Sequence, residues 1–204
     1  MSQVFVVDDD ESVRDAIGML LDSVDVNYTT FDGATAFLEQ YDPAQKGCLV
    51  LDIRMPGMSG LELQEQLLAR GSHIPIIFIT GHGDIPMAVE AMRKGAVDFI
   101  RKPFRDQELL DRINEALAVD DENQAKAADL EEIQRLIGSL TPRESEIFER
   151  VCQGQANKVM AIELGISERT VEIHRSQVMH KIGARSLAEL VRVKLKAEAL
   201  EEQA

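Results

Sequence analysis

The chain is poor in cysteine, in long apolar runs and in positive charge. Its two cysteines, Cys48 and Cys152, stand far apart in 204 residues. They offer neither a disulfide framework nor the paired spacing of a zinc site, which suits a reduced cytosol. No run approaches the roughly 18 apolar residues that a membrane span needs. The opening MSQVFVVDDDE is acidic by residue 8, which fits neither a signal nor a transit peptide. A cytoplasmic protein with no membrane partner is expected. Lys and Arg number 22 against 36 Asp and Glu, a net charge of −14. Spread evenly, that charge would argue against nucleic acid, because DNA binders present a basic face. Apolar residues at 45% and charged residues at 28% suit a globular chain rather than a disordered tail. The length fits one large domain or two small ones.

The charge is not evenly spread. Residues 1–118 carry −10, residues 119–140 carry −4, and residues 141–204 are neutral. Within the last block, residues 169–196 reach +5, with His174 and His180 in addition. An acidic block, an acidic connector and a block with a basic end suggest two domains with different partners.

In the first block, short apolar runs at 3–7, 48–51, 74–79 and 97–100, with a weaker one at 26–31, read as strands buried on both faces. Between them lie helical patterns at 12–24, 34–41, 59–69, 85–94 and 106–118. Five strands alternating with five helices imply an α/β doubly wound, five-stranded parallel sheet. Such sheets place their sites at the carboxyl ends of the strands. There stand Asp8-Asp9-Asp10, then Asp52, then Thr80, then Lys102-Pro103. Crowded carboxylates repel unless a cation joins them. A hard divalent ion, Mg²⁺ (or Mn²⁺), with oxygen ligands resolves the crowding. The remaining carboxylate has the character of a nucleophile toward phosphorus, with Lys102 and Thr80 placed to hold the new phosphoryl oxygens. Taken singly, each Asp reads as a helix cap or turn former and the Lys as a surface residue. The joint placement of all four positions favours the site.

The stretches VFVVDDDESVR, CLVLDIRMPGMSGLEL and IPIIFITGHGDIPMAVEAMRKGAVDFIRKPF resemble the receiver domain of two-component response regulators. The resemblance implies Asp52 as phosphoacceptor and Asp9 as a direct metal ligand. Asp8 would hold the ion through water, and the backbone carbonyl of Arg54 would be a third ligand. It implies Thr80 and Lys102 as the phosphate-sensing pair, Phe99 as the aromatic switch, and a cis Lys102-Pro103 bond.

Residues 119–140 contain no proline and one glycine, which argues against a floppy linker. Leu130, Ile133, Ile137 and Leu140 follow a heptad spacing. That seam serves either a short helix packing on its own domain or a helix pairing with its twin in a dimer.

Residues 141–204 read as a small all-α, four-helix domain. Thr141-Pro142-Arg143-Glu144 is a capped helix start, with Ile147, Val151 and Cys152 inward. A second helix carries Val159, Ile162 and Leu164 inward to Gly165. Ser167 caps a third, stopped by Gly183, and a fourth starts near Ser186. The second and third form a helix-turn-helix. On the third, Val171, Val178 and Ile182, joined by His174 or Arg175, should face the core. Arg169, Glu172, Ile173, Ser176 and His180 should face bases. Thr170, Arg175, Lys181 and Lys158 should meet phosphates. The bland alternative is a four-helix protein-interaction module. The run ISERTVEIHRSQVMHKIGARS resembles the LuxR-type helix-turn-helix of the NarL/FixJ family, and ITGHGDIPMAVEAM resembles its FixJ-like subgroup. Residues 1–118, 119–140 and 141–204 are thus expected as receiver, helical linker and DNA-binding domain.

The resemblance implies a sensor histidine kinase as phosphodonor, a homodimer on phosphorylation, promoter DNA and RNA polymerase as partners, and activation of transcription. The only chemistry expected of the chain itself is Mg²⁺-dependent self-phosphorylation and dephosphorylation at Asp52. A small phosphatase or phosphotransferase, and a flavodoxin-like cofactor binder, are the competing classes. The latter lacks a phosphate-binding glycine loop after the first strand.

Overall fold

The computed structural model describes residues 3–43, 45–81 and 85–201. The chain divides into two compact units, Met1–Gln124 and Ala125–Ala204.

In the first unit, strands β1 (Gln3–Val7), β2 (Tyr28–Phe31), β3 (Gly47–Asp52), β4 (Ile76–Thr80) and β5 (Asp98–Arg101) alternate with helices α1 (Glu11–Asp22), α2 (Ala34–Gln40), α3 (Gly60–Ala69), α4 (Ile85–Arg93) and the first part of α5 (Asp106–Gly138), whose last residues belong to the second unit. The strands form one parallel sheet in the order β2-β1-β3-β4-β5. The near-continuous apolar character of β1, β3 and β4 follows from burial on both faces, while the edge strands β2 and β5 are only partly buried. Phe5, Val7, Leu49, Leu51, Ile76 and Phe78 point to one core, which also holds Phe37, Leu63 and Leu67. Val4, Val6, Cys48, Val50, Ile77 and Ile79 point to the other, with Ile17, Leu21, Leu109, Ile113 and Ala116. The strand order reverses between β1 and β3, the position where open α/β sheets hold ligands.

Local chemistry fixes the elements that reach that position. Asp10 caps α1, its carboxylate accepting from the Ser12 N–H at 2.9 Å and the Ser12 hydroxyl at 2.6 Å. Ser59 and Glu62 form a capping box at the start of α3, a device worth about 1 kcal/mol. Gly60 is required there, since a Cβ would lie 2.3 Å from the Asp52 carbonyl oxygen. At the opposite end of the sheet Gly47 has φ +147°, and a Cβ on it would lie 1.7 Å from the Gln3 carbonyl oxygen.

Helix α5 is longer than the sequence pattern suggests. It runs unbroken through the expected linker, so no separate element begins at residue 119. Asp120, expected in the linker, is buried in the first unit and accepts the Gly47 N–H at 2.9 Å.

In the second unit, α6 (Pro142–Cys152), α7 (Asn157–Leu164), α8 (Glu168–Ile182) and α9 (Leu187–Glu201) follow the end of α5. The core consists of Ile147, Phe148, Val151, Met160, Ala161, Val171, Val178, Ile182 and Leu190. The heptad seam is taken up within this unit. Ile137 and Leu140 pack against that core, and Ile133 is buried and lines a cleft with Ile182, Ala184 and Val193. One expectation is reversed: Val159 and Ile162 on α7 are exposed, at 43% and 74%, while Met160 and Ala161 are buried. On the eight-residue α7 it is Met160 and Ala161 that join the core with Phe148, Val171 and Val178, which leaves Val159 and Ile162 on the solvent side.

Candidate functional site

Parallel strands deliver their carboxyl ends to one rim, so residues distant in sequence meet there. Asp8 follows β1, Asp52 ends β3, Thr80 ends β4 and Lys102 follows β5. Asp8, Asp52 and Thr80 are all buried. The Lys102 ammonium lies 2.6 Å from Asp8 Oδ2 and 2.6 Å from Asp52 Oδ1. The free oxygen of each carboxylate takes a backbone donor. Arg54 N–H reaches Asp52 Oδ2 at 2.6 Å, and Asp10 N–H reaches Asp8 Oδ1 at 2.9 Å. Arg14 donates to the Asp8 backbone carbonyl at 2.7 Å, pinning the turn after β1. The Lys102-Pro103 bond is cis, as expected.

Electrostatics follow from this geometry. Burial pushes the Asp52 carboxyl above its ordinary value against the pull of Lys102, and neighbouring Asp8 adds to the rise. Burial acts to lower Lys102, but its bonds to Asp52 and Asp8 prevail and hold the ammonium more firmly charged. Two buried carboxylates sharing one cation form the kind of anionic pocket that a further hard cation would stabilise.

The oxygen donors suit Mg²⁺, which takes one or two carboxylates and retains several waters. Asp8 and Asp52, both against the Lys102 ammonium, are the buried carboxylates that could hold it. Asp9 is exposed on the loop, and among the described residues no three acidic, His or Cys side chains form a ligand cluster. Thr80 Oγ1 lies 3.4 Å from the Gly81 carbonyl oxygen, and Phe99 on β5 is 36% exposed.

In the second unit, α8 sorts as its periodicity requires. Val171, Val178 and Ile182 are buried, while Arg169, Glu172, Ile173, Ser176 and His180 form the exposed face. Arg169 and Glu172 approach to 3.8 Å on it. Lys158 on α7 is exposed, and Thr170 is half-buried beside the capping Ser167. His174 and Arg175 are both half-buried. The Arg175 guanidinium is drawn to Asn157 Oδ1 at 2.5 Å, and His174 Nδ1 is enclosed without a partner among the described residues. Lys181, expected at a phosphate, is instead bonded to the buried Glu144 at 2.6 Å and to the Ser139 carbonyl at 3.2 Å. Sequence reasoning missed that bond and the Arg14 contact. The Thr141–Glu144 capping box gave a reason for Glu144 but not for its second partner.

Comparison with known proteins agrees with both units. A family profile described as the response regulator receiver domain matches residues 4–114. One described as bacterial regulatory proteins, luxR family, matches residues 138–194. Response regulator protein TmoT of Ectopseudomonas mendocina is 45% identical, the match covering 94% of this chain and 87% of that protein. Transcriptional regulatory protein FixJ of Azorhizobium caulinodans is 45% identical, with 95% and 92% covered. The solved response regulator StyR is 50% identical with a TM-score of 0.89, over 96% of this chain and 98% of that one. The chain therefore belongs to the two-component response regulators of the NarL/FixJ family, FixJ-like transcriptional regulators that join a receiver domain to a LuxR-type DNA-binding domain.

Proposed function

We propose that a sensor histidine kinase transfers a phosphoryl group to Asp52 and that this charge switches DNA binding. The observation that carries the reading is the Lys102 ammonium shared at 2.6 Å by Asp8 and Asp52. That arrangement leaves Asp52 Oδ1 beside a fixed cation that can hold a new phosphoryl oxygen. Mg²⁺ (or Mn²⁺), when bound, neutralises the incoming phosphoryl oxygens. Asp8, Asp9, Asp52 and the Arg54 carbonyl are its proposed ligands. Thr80 then bonds the phosphoryl group, vacating the space into which the half-exposed Phe99 turns. The surface of α4 and β5, residues 87–100, is reshaped and pairs with a second copy. The switch is a local charge change acting on a two-state element.

The paired chains place two α8 helices in successive major-groove half-sites about one helical turn apart. Arg169, Glu172, Ile173, Ser176 and His180 read bases, with Glu172 accepting from a cytosine amino group. Lys158, Thr170 and Arg175 meet phosphates. The bound dimer recruits RNA polymerase and activates transcription. Self-phosphorylation and dephosphorylation at Asp52 are the chain's only chemistry in this reading.

The test adds a small-molecule phosphodonor and Mg²⁺ to the full chain and to Asp52→Asn, and follows mass and oligomer size. A phosphoryl mass gain with a shift to dimer in wild type alone is expected. Equal dimerisation and promoter binding by Asp52→Asn would sink the reading.

A further inference from the structure

A lysine near the end of a DNA-facing helix is ordinarily assigned to a phosphate. The surroundings of Lys181 point elsewhere. Its ammonium lies 2.6 Å from Glu144 Oε2 and 3.2 Å from the Ser139 carbonyl oxygen. Glu144 is 4% exposed, and the same Oε2 accepts the Thr141 N–H at 2.8 Å, completing the capping box of α6. One ammonium thus joins three places: the last turn of α8, the first turn of α6, and the turn that ends α5. Two of its three donors are committed to protein acceptors. Its charge is balanced by a buried carboxylate that would otherwise stand unpaired, a costly arrangement.

We infer that Lys181 is a positioning residue, which ties the last turn of α8 to the turn between α5 and α6 and so fixes the presentation of Arg169 through His180, without touching DNA phosphate itself. The inference rests on the reading that α8 lies on DNA. It adds that Glu144, an acid with no place at a polyanion, is required for that binding. A purely electrostatic view predicts the reverse, because neutralising an acid near DNA strengthens attraction.

The experiment uses the full chain with Mg²⁺ and a small-molecule phosphodonor, and a duplex recovered by the wild type from a randomised pool. Affinity is measured against salt for wild type, Lys181→Met, Lys181→Arg and Glu144→Gln, below the melting range of each. Lys181→Met and Glu144→Gln should each bind roughly tenfold more weakly, with the salt slope of wild type. Lys181→Arg should restore affinity. The double variant should be little worse than either single one, since both break one contact. Amide exchange over residues 178–184 should quicken in both single variants.

A phosphate contact would instead flatten the salt slope of Lys181→Met by about 0.9 and leave Glu144→Gln equal to or tighter than wild type. That result overturns the inference, as does unchanged exchange over 178–184. Failure of the wild type to recover any duplex would defeat the DNA reading of α8, while the exchange measurement still decides the tie.

Discussion

Lys102→Met keeps most of the side-chain stem and removes the charge between two buried acids. Asp8 is fully buried and Asp52 is 6% exposed, so neither carboxylate can be fully rehydrated without local rearrangement. Removing one partner of a buried ion pair costs about 3–5 kcal/mol. The Lys102 side chain is 25% exposed, so solvent softens the loss and places it near the lower end, about 3 kcal/mol. For a unit of this size that lowers the melting temperature by roughly 10 °C. Two conditions should relieve the defect. Mg²⁺ at about one hundred times the variant's dissociation constant returns up to about 2.7 kcal/mol, and the same concentration returns less to wild type, where Lys102 already answers the charge and the ion binds more weakly. Acid is the second. Burial already raises the Asp52 carboxyl, and losing the pull of Lys102 raises it further. A raised folded-state value means that stability is intact below the ordinary carboxyl range and is lost as pH rises through the folded value. The deficit of Lys102→Met is therefore smallest in acid and widens toward neutrality. Thermal unfolding by circular dichroism, with and without Mg²⁺ across that pH range, measures all three effects. A variant that melts with wild type at neutral pH and gains no extra protection from Mg²⁺ would refute the charge-sharing argument.

Four further outcomes are expected. Lys181 and then the Thr141 N–H hold the Glu144 carboxyl down at about 2. Its contribution is complete above the usual carboxylate range and disappears as pH falls toward 2, so the DNA-binding unit of Glu144→Gln should lose less stability than wild type on acidification; equal acid sensitivity counts against this. Gly47→Ala should destabilise the receiver by about 3 kcal/mol or more through its clash with Gln3 and its positive φ, measured by urea unfolding; a loss under about 1 kcal/mol would show that β1 and β3 can part there. Asp120→Ala strands the buried Gly47 N–H and should cost about 1–3 kcal/mol, most of it recovered by Asp120→Asn; equal losses in the two variants would mean the hydrogen bond is not the cause. Phe99→Ala should leave the phosphoryl mass gain intact and weaken phosphodonor-dependent dimerisation about tenfold; sedentation-velocity analysis giving an unchanged dimer constant would remove Phe99 from the switch.

The sheet was legible because its chemistry repeats with a short period. The central strands β1, β3 and β4 are apolar on both faces, and Asp8, Asp52, Thr80 and Lys102 stand at strand ends where parallel topology collects them. The exposed face of α8 was equally plain, since fifteen residues of helix separate buried from exposed positions. Short α7 gave no such margin, and Val159 and Ile162 were placed inward although they face solvent. The continuation of α5 past residue 118 was hidden for another reason. An acidic helix of low overall hydrophobicity reads as a connector, and nothing in the sequence signals that Asp120 serves an N–H contributed 73 residues earlier. The Glu144 partner of Lys181 was hidden likewise: periodicity places Lys181 on α8, but only tertiary packing supplies Glu144.

Three identical acids in a row at the end of β1 suggest one shared duty, and the structure divides them. Asp10 is engaged in capping α1, a task that Asn or Ser performs nearly as well. Asp8 is sealed against Lys102 and a backbone N–H, where any neutral replacement leaves the ammonium short of a partner. Asp9 is exposed, outside the Lys102 contacts that hold Asp8 and Asp52. Substitution tolerance along this triplet should therefore vary sharply from one position to the next, with chain stability guarding Asp8, the proposed ion site alone guarding Asp9, and little guarding the identity of Asp10. Drift in this turn would preserve the fold longest where, on the proposed reading, it first erodes the response to phosphorylation.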